Sequence, residues 1–207
     1  LSADHPNLLS IVEMAVENDI AYLVEDYHPG KSLDILLREH PEGLPVAKKM
    51  ATARALVAGL AYAHEQGIVH GNLKDDKVYV DGQRIQIGGM GLGRLDEGIN
   101  LLEAPRLRQV VAYLAPEQVL GRPIDARTDL YALGVILYQL FDGLCPFLGD
   151  EREILRAHLD QAPPPLNDQV PPTLKALITK LLAKNAADRG NSAVEVKRAL
   201  QEINGAG

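Results

Sequence analysis

The stretch from Leu130 to Phe141 constrains the fold more than any other part of this sequence. Its apolar residues leave no polar side on a helix, and they are Leu130, Leu133, Val135, Ile136, Leu137, Leu140 and Phe141. A helix without a polar face is normally buried on all sides. We therefore expect this helix to form the centre of a domain, with Pro146 helping to close it off.

Other stretches have the apolar spacing of amphipathic helices. One stripe, which Gly67 is expected to end, consists of Val46, Met50, Ala53, Val57 and Leu60. A second consists of Leu174, Leu177, Ile178, Leu181 and Leu182. Ser192 and Glu195 have the spacing of a capping box and predict the start of a last helix.

Two β-hairpins are predicted in the first half of the chain. Residues 11–16 and 20–24 are rich in β-forming side chains and flank a three-residue turn. Residues 78–80 and 84–87 flank Asp81-Gly82, a pair that accepts the positive φ of a tight turn. Hairpins followed by a run of helices predict an α+β fold with segregated sheets.

Composition excludes several classes of function. The 207 residues carry 21 basic and 28 acidic side chains, so the net charge is −7 and there is no basic stripe for a nucleic acid or an anionic membrane. No apolar run approaches the roughly 20 residues of a membrane span. A single cysteine, Cys145, allows no disulfide within the chain and fits a reducing, cytoplasmic compartment. The histidines lack metal-like spacing, so no metal site is expected.

A series of short motifs is similar to those of the protein kinase superfamily, in its bacterial Ser/Thr form. The segment from His70 to Val78 resembles the catalytic loop H-R-D-L-K-x-x-N. Further ordered matches are His5-Pro6-Asn7, residues 22–27, Ala115-Pro116-Glu117, residues 129–134, residues 143–147 and Asp188-Arg189. The resemblance covers residues 5–203. It implies a kinase-like fold with a mostly helical C-terminal lobe and a partial small-lobe β-hairpin.

The resemblance also implies a division of the chain. Residues 1–27 would be the last strands of the small lobe and the hinge, residues 28–204 the large lobe, and residues 205–207 the start of a linker. The family's glycine-rich loop, its phosphate-binding lysine and the lysine's glutamate partner have no counterpart in residues 1–207. Gly88-Gly89-Met90-Gly91-Leu92-Gly93 lacks the third glycine of G-x-G-x-x-G, so it is expected to be loop backbone.

Three positions depart from the family's catalytic residues. Asn72 stands at the catalytic base, where an amide cannot accept a proton. Lys77 and Gly89 stand at the two metal-ligand positions, one a cation and the other without a side chain. We therefore predict a chain that is not an enzyme, a pseudokinase that uses no cofactor and serves as a protein-binding scaffold or regulatory module.

Two alternatives remain open. Lys74 and Lys77 could hold a nucleotide phosphate without magnesium, which would make the domain a nucleotide-binding switch. A Ser/Thr kinase with residual ATP-dependent phosphotransfer is the other alternative. Lys74 could instead be a loop lysine near Asp75 or Asp76, neither of which is expected to replace the base. Residues 89–117 contain no serine or threonine, so phosphorylation of those side chains cannot switch this segment.

Other kept positions are expected to be structural. By resemblance, His70 packs behind the site, Asp129 binds the backbone of the loop, and Glu117 and Arg189 form a buried ion pair. Glu25 falls at the family's gatekeeper position, where a charge suits an adenine pocket poorly; a one-residue slip of the alignment is the alternative.

Two surfaces are candidates for a protein partner or for an upstream segment of the same protein. The first is the apolar face of the first hairpin, with Val12, Met14, Val16, Tyr22 and Val24. The second is the helix that carries Ile154, Leu155 and Leu159.

Overall fold

The computed structural model describes residues 4–17, 20–91 and 110–205. Its strands are β1 (Ile11–Glu17), β2 (Ile20–Glu25), β3 (Lys31–Ser32), β4 (Val78–Asp81) and β5 (Arg84–Ile87). Its helices are α1 (Leu33–Glu39), α2 (Val46–Glu65), α3 (Pro116–Val119), α4 (Ala126–Asp142), α5 (Glu151–Asp160), α6 (Pro172–Leu181) and α7 (Ala193–Gly205). Short 3-10 helices cover Asp75–Lys77 and Ala186–Arg189. The predicted α+β class is confirmed.

Helix α4 is the centre of the domain, as its sequence predicts. Most of its residues are buried, including every apolar residue from Leu130 to Phe141. The Asp125 side chain caps its first turn by accepting a hydrogen bond from the Arg127 amide. The helix ends at Gly143, whose φ of 98° suits glycine, and so it ends before Pro146 is reached.

Both predicted hairpins are present. Strands β1 and β2 pair antiparallel, with Met14 opposite Leu23 and Val16 opposite Ala21. Strand β4 pairs with β5 on one side and with β3 on the other, which makes a separate three-stranded sheet. The Leu9 amide donates to the Ile87 carbonyl over 2.9 Å and so ties the start of the chain to β5.

Two details of the sequence prediction are wrong. Val46 is 70% exposed, because it lies in the first turn of α2, whereas the buried face of that helix runs from Thr52 to Ala63. Glu195 does not form the predicted capping box with Ser192, since its carboxylate accepts hydrogen bonds from Asn191 instead. On the second candidate docking surface, Ile154 of α5 is buried against Val111 and Leu114, whereas Leu155 and Leu159 are half-buried, and the binding of a partner there stays a prediction.

The first hairpin does leave an apolar face uncovered within the described residues. Val12 and Val16 are 65% and 69% exposed, and Met14, Tyr22 and Val24 are exposed as well.

Among the residues described, no helix is long and apolar enough to cross a membrane. The domain boundaries at residues 27 and 204 stay predictions.

Candidate active site at the catalytic loop

The loop from His70 to Lys77 is fixed from behind by Asp129. One carboxylate oxygen of Asp129 accepts from the Gly71 amide and the other from the His70 amide, each over 2.8 Å. The His64 ring lies 2.9 Å from the same carboxylate, and both side chains are about 1% exposed. Since buried charges persist only when they are well partnered, this network holds the loop backbone in one place.

His70 connects the loop to the end of β5. Its Nδ1 accepts from the Asn72 amide over 3.3 Å, so its Nε2 carries the hydrogen that is donated to the Gly88 carbonyl over 3.0 Å. Burial lowers the pKa of His70, with Lys77 adding to the effect, and the ring is therefore neutral at neutral pH. The structural role expected of His70 agrees with these contacts.

The structure brings two of the three substituted positions together. Lys77 accepts a backbone hydrogen bond from Gly88 over 2.9 Å. A Cβ atom at Gly89 would lie 3.4 Å from Cδ of Lys77, so a lysine stem borders the place where a side chain at position 89 would stand. Asn72 is half-buried on the same loop.

Lys74 has a partner within the loop. Its Nζ lies 2.6 Å from Oδ2 of Asp76, and only 13% of its side chain is exposed. The other carboxylate oxygen of Asp76 is buried and has no hydrogen-bond partner among the described residues. Lys74 is thus a paired loop lysine in this structure, and its predicted contact with an anion stays a prediction.

These residues do not fit the family's magnesium ions. A cation at Lys77 repels a divalent ion, and Gly89 offers no carboxylate. In residues 4–17, 20–91 and 110–205, no cluster of three or more histidine, cysteine, aspartate or glutamate side chains could hold a metal. No step of the chemistry is therefore derived through magnesium.

Glu25 belongs to the site, although the sequence indicated only that a charge stands beside the hinge. Its Oε1 accepts a hydrogen bond from the Gly89 amide over 2.7 Å. Burial raises the pKa of Glu25, whereas the Gly89 hydrogen bond and the charge of Lys77 oppose the rise. The position of Glu25 at the end of β2 is the only sequence signal for this contact.

A chain of hydrogen bonds that sequence reasoning missed lies on the other side of the loop. The Tyr113 hydroxyl donates to Oε1 of Gln139 over 2.8 Å, and the Gln139 amide donates to Asp75 over 3.1 Å. Burial raises the pKa of Asp75, and the hydrogen bond from Gln139 opposes the rise. A pocket of about 300 Å³ is lined by Lys74, Asp75 and Tyr113, among others. These partners lie far apart in sequence, so no local pattern predicts them.

The buried ion pair expected between Glu117 of the A-P-E motif and Arg189 is present. Both terminal nitrogens of Arg189 donate to Glu117, over 2.8 and 2.9 Å, and the Arg189 side chain is fully buried. Thr128 donates to the same carboxylate over 2.9 Å. Residues 92–109, which include Leu92 and Gly93 of the glycine cluster and most of the segment without serine or threonine, lie outside the described residues.

Comparison with known proteins places this geometry in a family. The protein kinase domain family matches residues 1–201. The Ser/Thr protein kinase pkn2 of Myxococcus xanthus is 33% identical over 96% of the chain, and PkaA of Streptomyces coelicolor is 34% identical over 98%. The chain spans 25% and 38% of the lengths of these two relatives.

Solved structures agree with the sequence matches. The PknI kinase domain of Mycobacterium tuberculosis superposes with a TM-score of 0.75 at 27% identity, over 97% of this chain and 73% of that one. A point mutant of the same PknI domain gives a TM-score of 0.74 at 26% identity, over 96% and 71%.

These matches correct one prediction and confirm another. The prediction that the chain is not an enzyme is wrong, because relatives at about 33% identity over nearly the whole chain are named Ser/Thr protein kinases. That prediction rested on the substitutions at Asn72, Lys77 and Gly89. The predicted kinase-like fold, in its bacterial Ser/Thr form, is confirmed, and the chain belongs to the protein kinase domain family.

Proposed function

We propose that this domain transfers the terminal phosphoryl group of ATP to serine or threonine side chains of a protein. The observation that carries the proposal is the family match over residues 1–201, together with a loop whose backbone Asp129 holds in place. The naming of its relatives as Ser/Thr protein kinases supports the choice of reaction and of acceptor.

Two lysines supply positive charge to the site in this proposal. The transition state of phosphoryl transfer is stabilised mainly by positioning and by charge, so cations near the phosphates matter more than covalent chemistry. The stem of Lys77 borders Gly89, the position from which the family's metal-binding aspartate projects. Lys74 reaches the phosphates once it exchanges its contact with Asp76 for one with the nucleotide.

Asn72 orients the acceptor in this scheme and does not take its proton. The side-chain oxygen of Asn72 can accept a hydrogen bond from the acceptor hydroxyl. As the hydroxyl oxygen bonds to the γ-phosphorus, the bond to the oxygen of the leaving ADP breaks, and the proton passes to a phosphate oxygen. Losing a general base typically slows a reaction about 10²- to 10⁴-fold, so we expect turnover that far below the roughly 1–100 s⁻¹ typical of kinases.

The experiment is phosphate incorporation by the purified protein from γ-labelled ATP into a serine- and threonine-rich basic protein. We expect slow labelling that falls at least about tenfold in Lys77→Ala and in Lys74→Ala, because each removes a charge near the phosphates. Lys180→Ala is the matched control, since Lys180 is an exposed lysine of α6. Absence of labelling in the parent protein, or equal labelling in all four proteins, would refute the proposal.

A second candidate role is the binding of a protein segment by the first hairpin. The observation that favours it is the exposure of Val12 and Val16 along one face of the same strand, since large exposed apolar patches mark interaction sites. A photoreactive residue at position 12 should cross-link to a defined protein segment, from the same chain or from a partner. The same residue at exposed position 13, on the other face of β1, should not.

The single cysteine supports a cytoplasmic location as part of this proposal.

A further inference from the structure

The side chain of Glu25 lies between the end of β2 and the end of β5. Its carboxylate accepts a hydrogen bond from the Gly89 amide over 2.7 Å. The side chain is half-buried, and the charge of Lys77 acts on it. A carboxylate from the strand before the hinge therefore reaches the backbone position from which the family projects a metal-binding aspartate.

The two glycines that follow β5 make room for this arrangement. A Cβ at Gly88 would lie 2.9 Å from Leu9 and 3.1 Å from both Oε2 of Glu25 and the Tyr79 ring, so a side chain there would have to displace these neighbours. A Cβ at Gly89 would point at the stem of Lys77. The space that side chains at 88 and 89 would fill is thus taken by Glu25 and by Lys77.

The charge of the Glu25 carboxylate affects any anion that approaches Lys77. An incoming phosphate must share the lysine with a carboxylate that cannot easily move away, because Glu25 is fixed by the Gly89 amide. Like charges held within a few ångströms in a partly buried site repel strongly.

We propose that Glu25 is a built-in competitor of the nucleotide phosphates for Lys77 and lowers the phosphate affinity of this site. The inference rests on the proposed function, because it concerns the site where ATP would bind. The ligand in this proposal is a polyphosphate, and the residue that determines its affinity lies outside the catalytic loop.

The test is calorimetric measurement of the affinity for ATP and for inorganic tripolyphosphate, both without metal. We compare the parent protein with Glu25→Gln, with Lys77→Met and with the double variant. Glutamine keeps the size of the side chain and can still accept from the Gly89 amide, so the change removes only the charge. Glu13→Gln is the matched control, because Glu13 is exposed on the neighbouring strand.

We expect Glu25→Gln to bind both ligands on the order of 10-fold more tightly than the parent protein, as removal of one nearby like charge predicts. The gain should vanish in the Lys77→Met background, and Glu13→Gln should bind as the parent does. A gain that persists without Lys77, or no gain in Glu25→Gln, would overturn the inference.

The two ligands separate this inference from the proposed function. ATP binding that is unchanged in Glu25→Gln leaves the proposed function standing and removes the competitor role. Tighter tripolyphosphate binding without any ATP binding supports the competitor role and counts against the proposed function. No binding of either ligand by any of the variants overturns both. Circular dichroism of each variant shows whether it is folded as the parent is.

Discussion

Arg189 joins several segments of the chain that lie far apart in sequence. Besides both oxygens of Glu117, its guanidinium donates to the carbonyls of Arg127, Ala183 and Lys184. It also lies over the ring of Tyr131, with Cζ 4.8 Å from the ring centre. Five donated hydrogen bonds satisfy a fully buried cation, and this is the condition under which such a charge is tolerated in a core.

At the residue scale, neutralising the partner of Arg189 should be costly. Glu117→Gln leaves a buried guanidinium without its counter-charge, and such a loss typically costs about 3–5 kcal/mol. Urea unfolding at pH 7 measures this loss of stability. Asp160→Asn is the control, because it breaks the exposed pair with Arg156 (3.4 Å) and should cost at most about 1 kcal/mol. Equal effects of the two variants would show that the buried pair contributes no more than a surface one.

The same pair gives a pH dependence. Burial alone would raise the pKa of Glu117, but the hydrogen bonds and charge of Arg189 outweigh it and hold the pKa below its ordinary 4.5. The folded state therefore favours the ionised carboxylate. The stabilisation is fully present above pH 4.5 and is lost as the pH falls through the lowered pKa.

At the element scale, Gly134 determines how closely α4 and α6 approach. A Cβ at this position would lie 2.9 Å from Cβ of Leu181 and 3.2 Å from the Leu182 side chain. The atom it meets first is next to the α6 backbone, so it cannot swing away. The helices can pack at this distance only because position 134 carries no side chain.

Gly134→Ala should therefore destabilise the protein although alanine is the better helix former. The gain in helix propensity is about 1 kcal/mol, and overpacking a core costs about 1–3 kcal/mol, so we expect a net loss of up to about 2 kcal/mol. The reverse change at an exposed site, Ala176→Gly in α6, calibrates the propensity term in the same urea experiment. A stabilised Gly134→Ala protein would mean that the two helices can move apart freely.

Elements with a clear local pattern were predicted well from the sequence. The all-apolar run at 130–141 predicted a buried helix, and Asp81-Gly82 predicted a hairpin, because each pattern has one physical solution. Val46 shows where this reasoning fails, since an apolar spacing cannot tell that the first turn of α2 lies beyond the core. Glu25 shows the same failure in the site, because its contact with Gly89 joins residues 64 positions apart.

At the scale of the whole molecule, the buried histidines make stability sensitive to acid. His158 is fully buried between Tyr131 and Phe147, and its Nδ1 lies 2.8 Å from the Tyr131 hydroxyl. Burial, with the nearby charge of Lys184, lowers the pKa of His158 to about 4. Burial lowers the pKa of His70 as well. Both rings are neutral in the folded protein and become charged more readily in the unfolded chain.

The stability should therefore fall as the pH falls below 6.5, the ordinary pKa of histidine, and continue to fall towards pH 4. For His158 alone the loss over this range is about 3 kcal/mol. The glutamine in His158→Gln can still accept a hydrogen bond from Tyr131 but does not titrate. Between pH 6.5 and 4 this variant should therefore lose about 3 kcal/mol less stability than the parent, as measured by thermal unfolding. Identical slopes for parent and His158→Gln would contradict the assignment.

The way Asp129 grips the catalytic loop has a consequence for the ancestry of this chain. Its two carboxylate oxygens hold main-chain amides, which every residue type except proline provides. Neither of these hydrogen bonds uses the side chain at 72 or 77. A lineage can exchange those side chains one at a time, changing the charge offered to a ligand while each intermediate still folds.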